Sequence, residues 1–388
     1  MYNKLNSDKY FCKYISSKLS TNTVCIVSKI NIYILVHVLD KENVDSLRFI
    51  NKNIKVHIYK TMDELEALIE EIIASLKFPN EISFSYSTMG DSETDILKHG
   101  DYVSLSKMIK KPYLKYSKKI RITSAEKIIY ELASKKTNRQ IERLKLLANV
   151  TARILEETFY DIKIGMSEKD IANMTILNMQ SIMKLYIGSN DIVSFDVAWD
   201  NCPIVLLGKN LAKGGHSEPS DKKLLKGDTI YFDFGLKVKF KDEEVLYTDM
   251  QRMGYALKDN ESLPPKTIEK IFNTLVTAIE DGIDELKPGV KGYKIDNIVR
   301  QKVLKAGYPD YNHATGHSVG NEVHDIGAII SYKSSKRARL DLVENGVYTL
   351  EPRINIENGG SIEEMILVTK FGGEPLCQTQ KKLYIVKW

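Results

Sequence analysis

Three of the chain's seven histidines fall within twelve positions, in the stretch HATGHSVGNEVHDIG from His313 to Gly327. Packing is better served by Leu or Val, whereas an imidazole carries protons near neutral pH and ligates metals. Four carboxylates elsewhere sit inside apolar, strand-like runs: Asp233 in DTIYFDFG, Asp249 in VLYTDMQ, Glu351 in VYTLEPR and Glu363 in SIEEMILV. Any one of them alone reads most simply as a solvent-facing residue on an edge strand. Together they are four charges that strand interiors disfavour and that burial penalises unless they are paired. No Lys or Arg stands at a comparable interior position in both acidic segments, so the expected counter-charge is a pair of divalent cations. One imidazole would complete the ligand set, and the other two would handle substrate and protons. A set of mostly oxygen donors with one nitrogen suits Mn(II) and tolerates Co(II), Fe(II) or Zn(II).

These residues need strands to carry them and helices to hold the strands. GDTIYFDFGLKVKF (227–240) and EVLYTDMQRMGYAL (244–257) flank the charged KDEE, and GVYTLEPRINIE (346–357) and SIEEMILVTK (361–370) flank NGG. Asn358-Gly359-Gly360 is a hairpin signal. Helix formers precede each acidic hairpin, which suggests an internal pseudo-repeat. The Thr137-x-x-Gln140 pattern is a capping box that starts a helix near Asn138, packed through Ile141, Leu144, Leu146, Leu147 and Val150. Gly165 stops that helix and Ser167 to Asp170 caps the next. A long helix ends at Pro288–Gly289 and a shorter one at Gly307. The first third reads as a small α/β domain: strands and a tight turn within 24–38, a helix over 63–77 and a strand over 81–87. It contains no Gly-rich phosphate loop and no ionisable cluster at ligand spacing.

With 388 residues, two domains are expected. A hydrophobic share of 43% and a charged share of 28% describe a folded soluble chain. No run of about 18 apolar residues offers a membrane span, and the N-terminal stretch shows no signal peptide. Cys12, Cys25, Cys202 and Cys377 are scattered, which fits a reducing cytoplasm rather than a disulfide framework. The net charge of +5 gives little case for a nucleic-acid partner, and the basic run Lys107 to Arg121 reads as a solvated face, with nucleic-acid binding as the lesser alternative.

The order Asp in FDFG, Asp in TDMQR, His in HATGHSVG, Glu in LEP and Glu in IEEM resembles the dinuclear metal site of the pita-bread metallopeptidases. That family holds the methionine aminopeptidases, the Xaa-Pro aminopeptidases and the prolidases. The resemblance runs from about Thr137 to Val386 through KIGMSEKDIA, HSEPSDKKLLKGDTIYFDFG, LKPGVKGYKID and KAGYPDYNHATGH. The histidine stretch looks like the Xaa-Pro branch. The resemblance implies an α+β architecture: a pita-bread catalytic domain over 135–388 and a smaller creatinase-type α/β domain over 1–134. It implies Asp233, Asp249, His317, Glu351 and Glu363 as ligands of two divalent ions. Glu351 would double as proton shuttle, His324 would bond the scissile carbonyl or the developing oxyanion, and His216 and His313 would line the pocket. The implied activity is exopeptidase cleavage before proline, as an aminopeptidase or a dipeptidase, on short peptides with proline second. A homodimer with no nucleic-acid or membrane partner is the expected state.

The sequence departs from the family pattern at four places. Asp233 and Asp249 are 16 positions apart, more than is usual, and the excess falls in KFKDEEV. Gln251 stands where a Thr or Ser usually supports the second Asp. Arg353 replaces the Gly that commonly follows Glu-Pro, and Ser361 stands where many Xaa-Pro enzymes have an Arg. Such supporting positions tune affinity or activity by about 10–100-fold, so they bear on the substrate. Two other readings stay open: a non-catalytic pita-bread protein that binds peptides or proteins, and a metal-free creatinase-type C–N hydrolase.

Overall fold

The computed structural model describes residues 2–3, 19, 23–44, 52–89, 94–213 and 217–387. The chain divides into two units, Met1–Leu132 and Ala133–Trp388. In the first unit, strands Thr23–Val27 and Ile32–His37 pair antiparallel across the turn closed by Ser28 N to Asn31 O. Strand Ile54–Tyr59 adds in parallel to the second of them. Helix Met62–Ser75 starts at Thr61, whose side chain accepts from Glu64 N, and buries Leu65, Ile69, Ile72 and Ile73. Strand Glu81–Phe84 pairs in parallel with Arg121–Ser124. Most of the basic run lies on helix His99–Lys115, where Lys111 and Lys115 each meet a glutamate of the neighbouring helix, Glu66 and Glu70, at 2.6 Å. Exposed pairs of this kind contribute only about 0–1 kcal/mol each.

The second unit begins with α1 (Asn138–Asp161) and α2 (Glu168–Lys184). Both open with a full capping box, Thr137 with Gln140 and Ser167 with Asp170. On α1, Ile141, Leu144, Leu147 and Val150 are buried, and Leu146 is partly buried against the same core. The helix ends at Asp161, earlier than Gly165 alone suggests, and Gly165 takes a φ of +90° in the turn that follows.

The first acidic hairpin is more bent than its sequence implies. It comprises β1 (Ile192–Val197), β2 (Ile204–Leu207), β3 (Thr229–Phe234), β4 (Leu236–Phe240), β5 (Val245–Tyr247) and β6 (Met250–Ala256), with the first two as added partners. Each predicted long strand is broken, so β4 and β5 pair in one sheet with β1 while β3 and β6 pair in another beside β2. The break falls at Gly235, where a Cβ would lie 2.1 Å from the Thr248 carbonyl oxygen. Only glycine permits that approach.

Helices α3 (Lys266–Glu285) and α4 (Gly292–Lys305) precede the second acidic hairpin. That hairpin contains β7 (Val347–Leu350), β8 (Arg353–Ile354), β9 (Gly360–Ser361), β10 (Glu364–Thr369) and β11 (Gly372–Pro375). Asn358 turns it with a φ of +50°. Strand β12 (Tyr384–Val386) returns to lie parallel to β6. Each helix pair covers its own hairpin. Leu147, Ile154 and Ile171 pack with Phe232 and Phe234, whereas Leu275, Val299 and Val303 pack with Leu350 and Ile366. Full burial of each such side chain contributes about 1.5–3 kcal/mol. No helix among the described residues is long and apolar enough to cross a membrane.

Candidate metal centre

Strand register brings the acidic residues to one place. Asp233 of β3 lies directly opposite Gln251 of β6, and directly opposed residues share a face. Asp249 stands two positions before Gln251, so strand alternation returns it to that face. The 16-residue spacing is therefore accommodated, because the excess chain forms β4 and β5 in the other sheet. Gln251 also bridges antiparallel to Glu363, with Glu363 N donating to Gln251 O at 3.1 Å. That bridge joins the two hairpins. Glu351 follows β7, and its backbone N donates to Thr315 O at 2.7 Å. The histidine stretch lies along β7, with Thr349 N donating to His317 O at 2.8 Å. Gly316 makes this possible, since a Cβ there would stand 1.9 Å from Thr349 O.

His317 Nε2 lies 3.5 Å from Asp249 Oδ2, 3.7 Å from Glu351 Oε1 and 3.8 Å from Glu363 Oε1. These spacings are too long for hydrogen bonds. Two donors each about 2.1 Å from one tetrahedral ion stand roughly 3.4 Å apart, so the spacings approach those of ligands around a shared ion. Asp249, His317 and Glu363 each offer a ligand atom within 4.8 Å of the others. Asp233 Oδ1, Asp249 Oδ1 and both Oε atoms of Glu363 are buried without hydrogen-bond partners among the described residues. As carboxylates, such atoms need a cation; as carboxylic acids, they would have to share protons with one another. The donor set therefore fits divalent ions.

The electrostatics agree. Burial, followed by the charges of Asp233 and its neighbours, pushes Asp249, Glu351 and Glu363 well above the usual carboxylate range. Asp233 is pushed up to about 7, chiefly by burial, despite the hydroxyl of Tyr231 that donates to its Oδ2 at 3.2 Å. His317 moves the other way, down to about 3, through burial and the adjacent His324. With the Nδ1 proton given to Ser318 O at 3.2 Å, the Nε2 lone pair faces the carboxylates.

The centre opens into a cavity of about 750 Å³ whose walls include Trp199, Asn201, Lys213, His313, His324 and Arg353. The rings of His317 and His324 meet edge to face at 4.3 Å. His313 Nδ1 lies 4.0 Å from Glu351 Oε2. His216 lies outside the described residues. Gln251 Nε2 donates to Glu351 Oε2 at 3.2 Å, so the amide directly contacts a candidate ligand. Tyr231 was not anticipated as a partner of Asp233, although a period of two places it on the same strand face.

One expectation is overturned. Each acidic hairpin does bury an arginine, Arg252 at 1% exposure and Arg353 at 3%. Arg252 alternates onto the face away from Gln251 and pairs with buried Glu364 at 3.1 Å. It therefore leaves the four-carboxylate cluster uncompensated. Arg353 does line the cavity, lies 4.6 Å over the Tyr231 ring, and donates to Asn355 Oδ1 and Leu211 O. Its charge holds Asp233 and Glu351 down somewhat, without outweighing burial. Arg353 and Ser361 are cross-strand partners in the β8–β9 ladder. The guanidinium that the family resemblance places at 361 thus stands on the paired strand here.

Residues 142–370, more than half of the chain, match the model of metallopeptidase family M24. The Xaa-Pro dipeptidase of Pyrococcus horikoshii is 24% identical over 334 residues, covering 85% of this chain and 80% of that protein. An uncharacterized peptidase of Staphylococcus epidermidis is 31% identical over 260 residues, 65% of each, so the match spans just under two thirds of that relative. Among solved structures, the X-Pro aminopeptidase of Thermotoga maritima superposes with a TM-score of 0.63 at 22% identity over 100% of this chain and 96% of its own. The prolidase of Pyrococcus horikoshii gives 0.62 at 22% identity over 97% and 93%. The architecture is α+β, a pita-bread domain with a smaller creatinase-type α/β domain before it. By the extent of the family match, the chain belongs to metallopeptidase family M24.

Proposed function

We propose that the chain is a dinuclear, divalent-metal-dependent exopeptidase that hydrolyses the peptide bond before proline, as an Xaa-Pro aminopeptidase or an Xaa-Pro dipeptidase. One observation carries this reading: buried carboxylate oxygens without partners converge with a neutral His317 at near ligand-to-ligand spacing. The ligands are Asp233, Asp249, His317, Glu351 and Glu363. Mn(II) is the first candidate, and Co(II), Zn(II) and Fe(II) also suit the donor set. When bound, a pair of divalent cations neutralises the carboxylates, polarises a carbonyl and lowers the pKa of a water toward ~7.

The chain's own side chains supply the rest. Glu351, held by the Gln251 amide, would take a proton from the water that attacks the carbonyl carbon and deliver it to the leaving nitrogen as the C–N bond breaks. His324, on the cavity wall beside His317, donates to the scissile carbonyl oxygen as charge develops there. His313 flanks the cleaved bond from the Glu351 side, and His216 belongs to the same pocket in this reading. The substrate is a short peptide with proline second, the class named by the Pyrococcus and Thermotoga relatives. Residues 1–134 act as the creatinase-like domain and 135–388 as the catalytic domain of a cytoplasmic homodimer with no nucleic-acid or membrane partner. A protein that only bound peptides would gain nothing from buried carboxylate oxygens of Asp233, Asp249 and Glu363 held without partners.

The test strips the protein of metal, reloads it with Mn(II), counts ions per chain, and compares an Xaa-Pro dipeptide with an Xaa-Pro-Xaa tripeptide. About two ions and proline-dependent hydrolysis are expected. Failure of the reloaded protein to retain ions or to cleave either peptide overturns the reading.

A further inference from the structure

We propose that Asp296 and Arg300 of α4 form a positioning centre that sets the place of His313 in the cavity. The inference rests on the exopeptidase reading for its kinetic consequence and on geometry alone for its structural one. Asp296 and Arg300 are four residues apart on one helix face, 3% and 4% exposed. Most helical pairs of this spacing lie in water and contribute little. This one is buried, so its charges require complete pairing.

The pairing is complete on the guanidinium. Nε donates to Asp296 Oδ2 at 3.1 Å and Nη2 to Asp296 Oδ1 at 2.7 Å. Nη1 donates to Asp310 Oδ1 at 2.7 Å and to Tyr311 O at 2.6 Å. The remaining Nη2 hydrogen goes to His313 O at 3.0 Å. All five N–H donors of an arginine are thereby used. The guanidinium also lies between two rings, 4.0 Å from Tyr311 and 3.9 Å from Tyr332.

Every acceptor beyond Asp296 belongs to the irregular segment that enters the cavity. Residues 310–315 lie in no strand or helix, so their carbonyls need donors from elsewhere. Arg300 satisfies the carbonyl of His313 itself, and the Tyr311 ring it holds lies 4.9 Å from the His313 imidazole. Thr315 Oγ1 donates to Asp296 Oδ1 at 2.6 Å, and Thr315 O accepts from Glu351 N at 2.7 Å. Arg300 does not itself line the cavity, so it acts through His313 rather than on substrate. Lysine keeps the charge but loses the plane and two of the five donors.

The test is R300K, made alone and with H313A, in the full-length metal-loaded protein. It measures kcat and KM on an Xaa-Pro peptide, metal content, and, with diamagnetic Zn(II) as the loaded ion, imidazole resonances of histidine-labelled protein. R300K is expected to lower kcat/KM about 10–100-fold with metal content unchanged. In the H313A background the same change should cost less than about threefold, because the two losses share one cause. The His313 resonances should move while those of His317 stay. An equal fold-loss in both backgrounds, or an unmoved His313 signal, overturns the proposal. Y332F covers the case in which R300K does not fold. Its hydroxyl shares one hydrogen between Asp310 Oδ2 and Tyr311 O, and its removal should give a smaller loss that also vanishes with H313A and a smaller His313 shift. A wild type without peptidase activity overturns the exopeptidase reading, and the resonance arm then still decides this one.

Discussion

Removing the metal should reverse the sign of the protein's stability dependence on pH. Folding raises the proton affinity of the buried carboxylates, and a raised carboxyl pKa stabilises the fold below the unfolded value and loses that contribution as pH climbs through the folded one. For Asp233 the rise from 3.8 to about 7 corresponds to about 4 kcal/mol. His317 opposes it, because its depression from 6.5 to about 3 costs stability as pH falls through that range, about 5 kcal/mol in all. Above pH 6.5 the imidazole is neutral in both states, so the carboxylates act alone. Asp249, Glu351 and Glu363 are displaced upward by burial and by neighbouring carboxylates, so they act in the same direction as Asp233. Each carboxyl still protonated in the fold costs about 1.4 kcal/mol per pH unit. Asp233 alone, titrating near 7, loses about 0.8 kcal/mol between pH 6.5 and 8.5, roughly 2–3 °C in Tm for a unit of this size, and the other three carboxylates add to it in the same direction. Trp199 lies on the cavity wall of the second unit, so its fluorescence follows the unfolding of that unit. Melting is recorded from pH 6.5 to 8.5 with chelator and with Mn(II). The chelated protein should melt at falling temperature as pH rises, and the Mn(II) protein at constant or rising temperature, because ions compete better with fewer protons. D233N in chelator should flatten part of the slope. Parallel curves with and without metal would refute the argument that these four carboxylates are held for cations.

Three other outcomes follow from separate features of the site. H324A should reduce kcat by about two to three decades, the usual cost of one lost oxyanion donor, with metal content unchanged; a loss under threefold removes His324 from the chemistry. K136M strands Asp325, whose Oδ2 is 3.0 Å from the Lys136 ammonium with both side chains at 1% exposure or less. Denaturant titration should show a loss of about 3–5 kcal/mol, much of it recovered when Asp325 is also made apolar, and a loss below 1 kcal/mol would contradict the pairing. G316A places a methyl 1.9 Å from Thr349 O, so the His317 segment must leave β7. Metal retention measured after gel filtration should fall sharply, and full retention would show that His317 is not held through that backbone contact.

Local features are legible in the sequence because their causes are local. Thr137 with Gln140 and Ser167 with Asp170 satisfy orphan helix donors within one turn, so four residues suffice to read them. Asn358 before two glycines fixes its turn through a backbone preference of the same range. The four carboxylates stand out because strand interiors rarely hold them, and the structure brings all four to one cavity region beside His317. The split of the first hairpin is harder to read. Gly235 resembles any strand glycine until Thr248 is known to cross it, and that crossing depends on a residue 13 positions away in the chain.

The arginines show why a residue's type does not disclose its partner. Arg252 and Arg353 look alike in sequence, each two or three residues beyond an acid in an apolar strand. A strand turns consecutive side chains to opposite faces, so position 252 faces away from 251 and meets Glu364. Position 353 lies beyond the Glu351–Pro352 break between β7 and β8, where counting by twos no longer applies, and there the guanidinium reaches the cavity. A charge count over the acidic hairpins therefore overestimates the cationic demand by the one guanidinium that faces inward. That arginine is anchored by Asn355 and Leu211 O instead of a carboxylate. It offsets part of the field at Asp233 and Glu351 without occupying a ligand position, which leaves Asp249 and Glu363, the pair grouped with His317, as the carboxylates with the greatest need of an ion.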